Sequence, residues 1–324
     1  MRQCSCLIYD ATSQKQSKNM NTIDLQIQTT ASDGKHTPAN VVSMAKERNL
    51  AVIAITDHDT VGGVETALDA AVDSGVAVIA GIEMSAEEHG LHILGFGIDH
   101  KETGLLKKLE EFKQGRIEGA RQMVENLKRA GFTVEWQDVE REATGSVFAR
   151  PHLARAILKR LENKQKLGSI ANVHDFIETY LSNESPNYVH RSHISVKDSI
   201  GLIRSVGGVA VWSHPAIHFR EDYEGLEKFL QHMVEWGISG LEVFNPSHAE
   251  DDAEFLQGLC TKYRLLRTAG SDFHEKGEHS VDPKSGLHSA RFLGDYETHG
   301  FPVDDIIPRL DEAIGMAQKR YHAG

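Results

Sequence analysis

Long hydrophobic runs are missing from this 324-residue chain. No apolar stretch approaches the roughly 20 residues needed to span a bilayer, so the composition argues against a membrane protein. The first twenty residues also lack the apolar centre of a secretory signal, because Leu7-Ile8-Tyr9 is too short for one. Cysteine is scarce: Cys4, Cys6 and Cys260 form an odd set with no framework spacing. That pattern excludes a disulfide scaffold and points to a reducing compartment, the cytoplasm. Cys4-Ser5-Cys6 reads either as a chelating pair or as a flexible terminus. The polar run over 12–19 favours disorder across residues 1–21 and makes Met20 an alternative start. Basic charge is in deficit, with 35 Lys and Arg against 47 Asp and Glu and a net charge of −12. A chain of that sign does not coat duplex nucleic acid or an anionic membrane, although a small basic pocket stays compatible with it. No internal repeat is found. Nothing in the sequence fixes an oligomeric state.

What is present is an ordinary globular composition, 40% hydrophobic and 25% charged, long enough to bury a large core. Ile23, Leu25 and Ile27 alternate with Asp24, Gln26 and Gln28, the period of a strand. A turn signal follows at Ser32-Asp33-Gly34, and Thr37-Pro38 opens a helix over 38–48. A buried strand over 51–56 runs into Asp57-His58-Asp59, then a helix over 61–73. The next strand, 76–82, ends in Glu83. After a turn at His89-Gly90 a fourth strand over 91–98 carries His92. From 102 the pattern turns helical, with helices at 105–130, 136–142, 151–161 and 173–181. The strand–helix rhythm resumes with a helix over 196–205, capped by Ser195 with Asp198 in the capping-box position. Strands at 208–212, 240–244 and 265–269 follow, with helices at 225–236, 249–263 and 303–319.

About seven helix-separated apolar strands predict an α/β fold, a parallel sheet closed into a distorted (β/α)7 barrel. A doubly wound open sheet is the alternative. The expected division is a disordered extension over 1–21, a barrel from 22–101 and 188–324, and a helical insertion or lid over 102–187.

Polar residues gather where the strands end: Gln26 and Gln28, His58, Glu83, His92, His214, Asn245, Asp272 and His274. Barrel active sites are assembled at that rim from several strand ends. Imidazoles and carboxylates converging there suit a cluster of divalent metals. Five other histidines, His89, His100, His174, His193 and His248, read as surface residues.

The stretch from Asp24 to Gly34 resembles the first motif of the PHP (polymerase and histidinol phosphatase) family, which reads D-x-H-x-H-T-x-x-S-D-G. Here Gln26 and Gln28 stand where that motif has histidine. Thr56-Asp57-His58-Asp59, Gly81-Ile82-Glu83, Leu91-His92-Ile93-Leu94-Gly95, Trp212-Ser213-His214-Pro215 and Gly270-Ser271-Asp272-Phe273-His274 resemble the later motifs, in order. The likeness extends to a subgroup of nucleotide phosphoesterases and 5′–3′ oligoribonucleases. It implies a distorted seven-stranded barrel holding two or three divalent ions, Mn²⁺, Zn²⁺, Fe²⁺ or Mg²⁺. The ligands it implies are Asp33, His58, Glu83, His92, His214, Asp272 and His274, with Glu83 bridging two ions. Asp57 and Asp59 are not expected to touch metal.

Arg150 and His152, in Ala149-Arg150-Pro151-His152, and Arg191, in Tyr188-Val189-His190-Arg191, also resemble subgroup signatures and suit a phosphate clamp; the plain alternative is a helix start with a solvated Arg150. Glu83, His214 and His274 are the expected catalytic residues. Glutamine offers a neutral amide oxygen, so Gln26 and Gln28 are expected to be weak metal ligands on one face of their strand.

The expected function is hydrolysis of a phosphate ester on a small phosphorylated substrate, a nucleotide or short oligonucleotide, by metal-activated water. Two alternatives stand beside it. One is a phospho-ligand-binding pseudoenzyme with a degenerate metal site. The other is an amidohydrolase-like enzyme acting on C–N bonds.

Overall fold

The computed structural model describes residues 22–143, 148, 150–182, 184–189, 194–277, 288 and 290–323. The expectation of disorder over 1–21, and Arg191, lie outside the described residues. Seven strands follow one another around a single sheet in chain order: β1 (Ile23–Asp24), β2 (Val52–Ile55), β3 (Ala77–Ser85), β4 (His92–Phe96), β5 (Val209–Trp212), β6 (Gly240–Phe244) and β7 (Leu266–Ala269). β1 meets β7 again, with Leu25 N–H donating to Ala269 O at 3.0 Å and Gln28 N–H to Phe273 O at 3.0 Å. Those bonds make the sheet a barrel rather than an open doubly wound sheet. The α/β barrel class read from the sequence holds.

The wholly parallel sheet does not. β4 pairs antiparallel with both β3 and β5, while the other neighbours are parallel. The cause is connection length. Only residues 86–91 join β3 to β4, and a link that short returns the chain beside itself in the opposite direction, whereas a parallel partner needs a crossover of a dozen residues or more. His92 therefore opens its strand instead of closing it. Reversal still places it at the same rim, opposite Ser85.

Helices cover the barrel: α1 (Pro38–Glu47) and α2 (Val64–Ala71) come first. The helical stretch follows as α3 (Thr103–Arg129), α4 (Trp136–Glu142), α5 (Arg150–Lys159), α6 (Lys164–Leu167) and α7 (Val173–Tyr180). The barrel helices then continue as α8 (Val196–Ser205), α9 (Pro215–His218), α10 (Tyr223–Trp236), α11 (Glu250–Tyr263) and α12 (Ile306–Ala323). Local chemistry sets their starts. Thr37 accepts from Asn40 N–H ahead of Pro38, and Ser195 accepts from Asp198 N–H at 3.0 Å. Because helices pack outside and side chains fill the inside, β2, β5 and β6 are buried along their whole length, as their unbroken apolar runs require.

Two hydrophobic cores result. One fills the barrel and its helices; the other joins Ala120, Met123, Val124 and Leu127 of α3 to Val139, Leu153, Ile157, Phe176 and Leu181. α3 serves both, because Leu105 and Leu109 near its start belong to the barrel core. Between those two groups Arg116 pairs with the buried Asp59, which follows β2 at the rim.

Candidate metal centre

Four imidazoles stand in a row across the rim. Ring centroids are 5.2 Å apart from His214 to His92, 5.0 Å from His92 to His58, and 5.9 Å from His58 to His274. Each comes from a different part of the barrel, and the backbone is bent to aim them. His214 has φ +31°, Asp59 beside His58 has φ +53°, and Asp272 before Phe273 has φ +52°. Left-handed conformations cost such residues of order 1–3 kcal/mol each and persist only where surroundings hold them. For His214 the hold is explicit: its N–H donates to Glu242 Oε2 at 2.9 Å.

Glu83 lies fully buried beneath three of these rings. His92 Nδ1 is 3.0 Å from its Oε1, His214 Nε2 is 3.6 Å from the same oxygen, and His58 Nδ1 is 3.8 Å from Oε2. Burial alone would raise the Glu83 carboxyl, but the His58 and His92 imidazoles, with His214 close by, hold it well below the usual range. His92 moves the other way: burial, the largest single influence, lowers it, but Glu83, Asp272 and Asp59 together raise it. At the far end of the row His274 Nε2 is 3.6 Å from Asp33 Oδ1, and its Nδ1–H donates to Asp272 O at 2.8 Å. Burial lowers His274, yet Asp272 and Asp33 together raise it; burial raises Asp33, yet His58 and His274 bring it down.

The donor set fits divalent cations. Asp33, His58 and His274 bring one ligand atom each within 4.8 Å of one another, and so do His58, Glu83 and His92. Buried polar atoms without a hydrogen-bond partner concentrate here: Asp33 Oδ1, His58 Nδ1, His92 Nδ1, His214 Nδ1 and Asp272 Oδ1. His92 Nδ1 belongs in that set although it is close to Glu83, because it lies out of line for a hydrogen bond. Leaving such atoms unpaired costs about 1–3 kcal/mol each, and a cation removes the cost. Of the residues read from the sequence, Asp33, His58, Glu83, His92, His214, Asp272 and His274 thus come together.

Gln26 and Gln28 also reach Glu83, on one face as the strand period requires, but they present nitrogen rather than oxygen. Gln26 Nε2 donates to Glu83 Oε1 at 3.1 Å, and Gln28 Nε2 donates to Glu83 Oε2 at 2.6 Å. A carboxylate only accepts, so the amide turns its N–H groups towards it. Asp57 and Asp59 behave as supports. Asp57 accepts from Thr29 N–H and the Ser32 hydroxyl at 2.7 Å each, while Asp59 accepts from Ser85 N–H and Arg116.

The proposed phosphate residues divide. Arg150 donates to Leu181 O at 3.2 Å and lies over the Tyr188 ring, against the second core. His152 is lowered by burial and by Arg155 and Lys35, with Asp33 acting against them, so α5 brings it into the electrostatic reach of the rim.

Sequence reasoning missed Ser213 and Glu242. Ser213 accepts from Gln26 and donates to Glu83 Oε1 at 3.2 Å. Glu242 is fully buried in β6, and burial pushes its carboxyl well above the ordinary range, with Asp272 and Glu83 adding to the effect. The signal was there: an acid in the apolar run Gly-Leu-Glu-Val-Phe has no solvated face to occupy. His248 also departs from expectation. It is buried rather than exposed, with Nδ1–H donating to Val243 O at 2.9 Å.

Comparison with known proteins follows this geometry. The PHP domain profile matches residues 24–243. A 3′,5′-nucleoside bisphosphate phosphatase of Chromobacterium violaceum is 32% identical over 81% of this chain and 90% of its own length. The 5′–3′ exoribonuclease Rnm of Salmonella typhimurium is 30% identical over 78% of this chain and 85% of its own. A solved amidohydrolase from Chromobacterium violaceum, with bound sulfate and no metal, superposes with a TM-score of 0.69 at 30% identity, covering 90% of this chain and 96% of that one. With the family's motifs in order on one barrel rim, and its profile spanning most of the chain, this protein belongs to the PHP domain family.

Proposed function

We propose that the rim hydrolyses a phosphate ester of a nucleotide or short oligonucleotide. The chain is a metal-dependent phosphoesterase, as its phosphatase and exoribonuclease relatives indicate. One observation carries the reading for this chain: unpartnered buried imidazole nitrogens and carboxylate oxygens face one another around Glu83 and Asp33.

Asp33 and His274 would hold one cation, and Glu83 and His92 another, with His58 between them serving one of the two. Mixed imidazole and carboxylate donors suit Mn²⁺, Zn²⁺ or Fe²⁺. When bound, divalent ions polarise phosphoryl oxygens and make water acidic enough to supply hydroxide at neutral pH. The protein's own part is to fix the geometry and handle protons. Glu83, ionised and gripped on both oxygens, cannot drift from the rim. His214 stands outside both donor groups, so its ring is able to hold a proton for the leaving oxygen. The 102–187 segment acts as a lid in this reading. His152 is its contribution near Asp33, and Arg150 stiffens it from within. Both curated relatives are named for phosphate chemistry, which favours an ester over an amide substrate.

The test is turnover of an aryl phosphate, of adenosine 3′,5′-bisphosphate and of a short 5′-phosphorylated RNA with Mn²⁺, with and without chelator. Chelator-sensitive release of phosphate or mononucleotide is expected. Absence of such release from all three overturns the reading and leaves a binding module.

A further inference from the structure

Glu83 has two unlike sides. Towards β2, β4 and β5 it meets imidazoles whose Nδ1 atoms have no hydrogen-bond partner. Towards β1 it meets amides that are already engaged. Gln26 Nε2 spends both its protons, one on Glu83 Oε1 at 3.1 Å and one on Ser213 Oγ at 2.9 Å, while its Oε1 accepts from Asn245 Nδ2 at 3.2 Å. Asn245 is held in turn by Glu242 Oε2 at 3.1 Å, and the Ser213 hydroxyl returns to Glu83. The result is a closed ring of hydrogen bonds in a fully buried place. Gly270 presses against it, since a Cβ there would sit 2.5 Å from Gln26 Cβ and 2.8 Å from Glu242 Oε1.

For Gln26 to ligate a cation through Oε1, the Asn245 bond must break or the amide must turn over. Turning it over would set oxygen against the Glu83 carboxylate, which has no proton to give. Either route strands buried polar groups. Gln28 keeps one free oxygen, Oε1, but a single neutral donor does not make a site.

We propose that the amides of Gln26 and Gln28 are a built-in substitute for a cation on the β1 side of Glu83. The chain then binds divalent ions through the imidazoles and carboxylates around Asp33 and around Glu83, and none at the glutamines. Fixed N–H dipoles do there what an ion does elsewhere: they keep a buried carboxylate charged and oriented at no cost of reorganisation. Imidazoles in their place would offer one donor each instead of two.

This inference rests on the metal-dependent reading, and the test separates the two. Protein is stripped of metal, reloaded with Mn²⁺, passed through gel filtration and assayed for manganese per chain by mass spectrometry. Circular dichroism checks the fold of each sample. Wild type is expected to hold one ion for each of the two groups, and Gln26→His/Gln28→His to hold one more. Equal and non-zero manganese in the two folded proteins overturns the inference. If the double variant does not fold, the wild-type count decides: a third ion overturns the inference and two sustain it. No manganese in either folded protein overturns the metal-dependent reading itself.

Discussion

The two cores of this molecule treat buried polar groups in opposite ways. In the core built by α3–α7, such groups are matched. Asn163 accepts from Thr133 N–H at 2.7 Å and donates to Thr133 O at 2.9 Å and Ile157 O at 3.0 Å. Asp138 accepts from Glu135 N–H at 2.8 Å and pairs with Arg141 and Arg160. Among the described residues of 103–180, no buried side-chain nitrogen or oxygen lacks a partner. At the barrel rim the reverse holds, with half a dozen such atoms facing one another. A fold tolerates one stranded polar atom as an error of packing, but a converging group is a demand for something from outside. Satisfied polar groups hold shape, and unsatisfied ones await a ligand.

The sharpest way to break this contrast is at Glu83. Glu83→Ala should lower metal-dependent turnover by at least about 100-fold, more than loss of an outer partner costs, and should cut bound manganese. Full turnover with full metal content would mean that the rim's unpaired atoms have no common purpose. Next in size is His248, which separates an unpaired atom at the metal rim from one that is merely buried. Its Nε2 has no partner, and burial holds it neutral down to about 4. The unfolded chain takes up a proton below about 6.5 while the folded one does not, so stability falls as pH drops through that window. The loss attributable to His248 should reach roughly 2 kcal/mol at pH 5. Chemical denaturation of wild type and His248→Gln at pH 7.5 and pH 5 measures it; parallel pH slopes would remove the effect. The smallest effect lies in the matched core. Asn163→Ala should cost between about 1 and 2 kcal/mol, since Thr133 is exposed and water can replace part of what is lost. Bound manganese should not change. A drop in metal content would show that the two cores are not independent.

The barrel was legible because buried strands announce themselves as apolar runs and their ends carry the chemistry. His58, Glu83 and His92 could be placed from that pattern alone. The direction of β4 was not, because an apolar run has no arrow; only the short 86–91 link carried the information. The amide orientation of Gln26 was also hidden. It depends on Ser213 and Asn245, more than 180 residues away in sequence. Glu242 and His248 share a different reason. Their side chains are polar, and sequence reading sends polar residues outward; for Glu242 the burial of β6 on both faces overrides that, and for His248 the bond to Val243 O does.

The reversal of β4 has one more consequence, for how the chain is spliced. Phe96 at the end of β4 pairs directly with Val209 at the start of β5, one strand spacing away, about 4.8 Å. A tight hairpin would have joined them. Residues 97–208 leave and return through that narrow gate, so their length is uncoupled from the register of every strand. α3, about 40 Å long, carries the path away from the gate, and Arg116 moors it to Asp59 on the way. Closing a longer or shorter excursion between fixed ends changes the entropy only logarithmically. The excursion beyond Arg116 and before α8 is thereby the part most free to change in length, while the register of the seven strands that aim the imidazoles and carboxylates stays fixed.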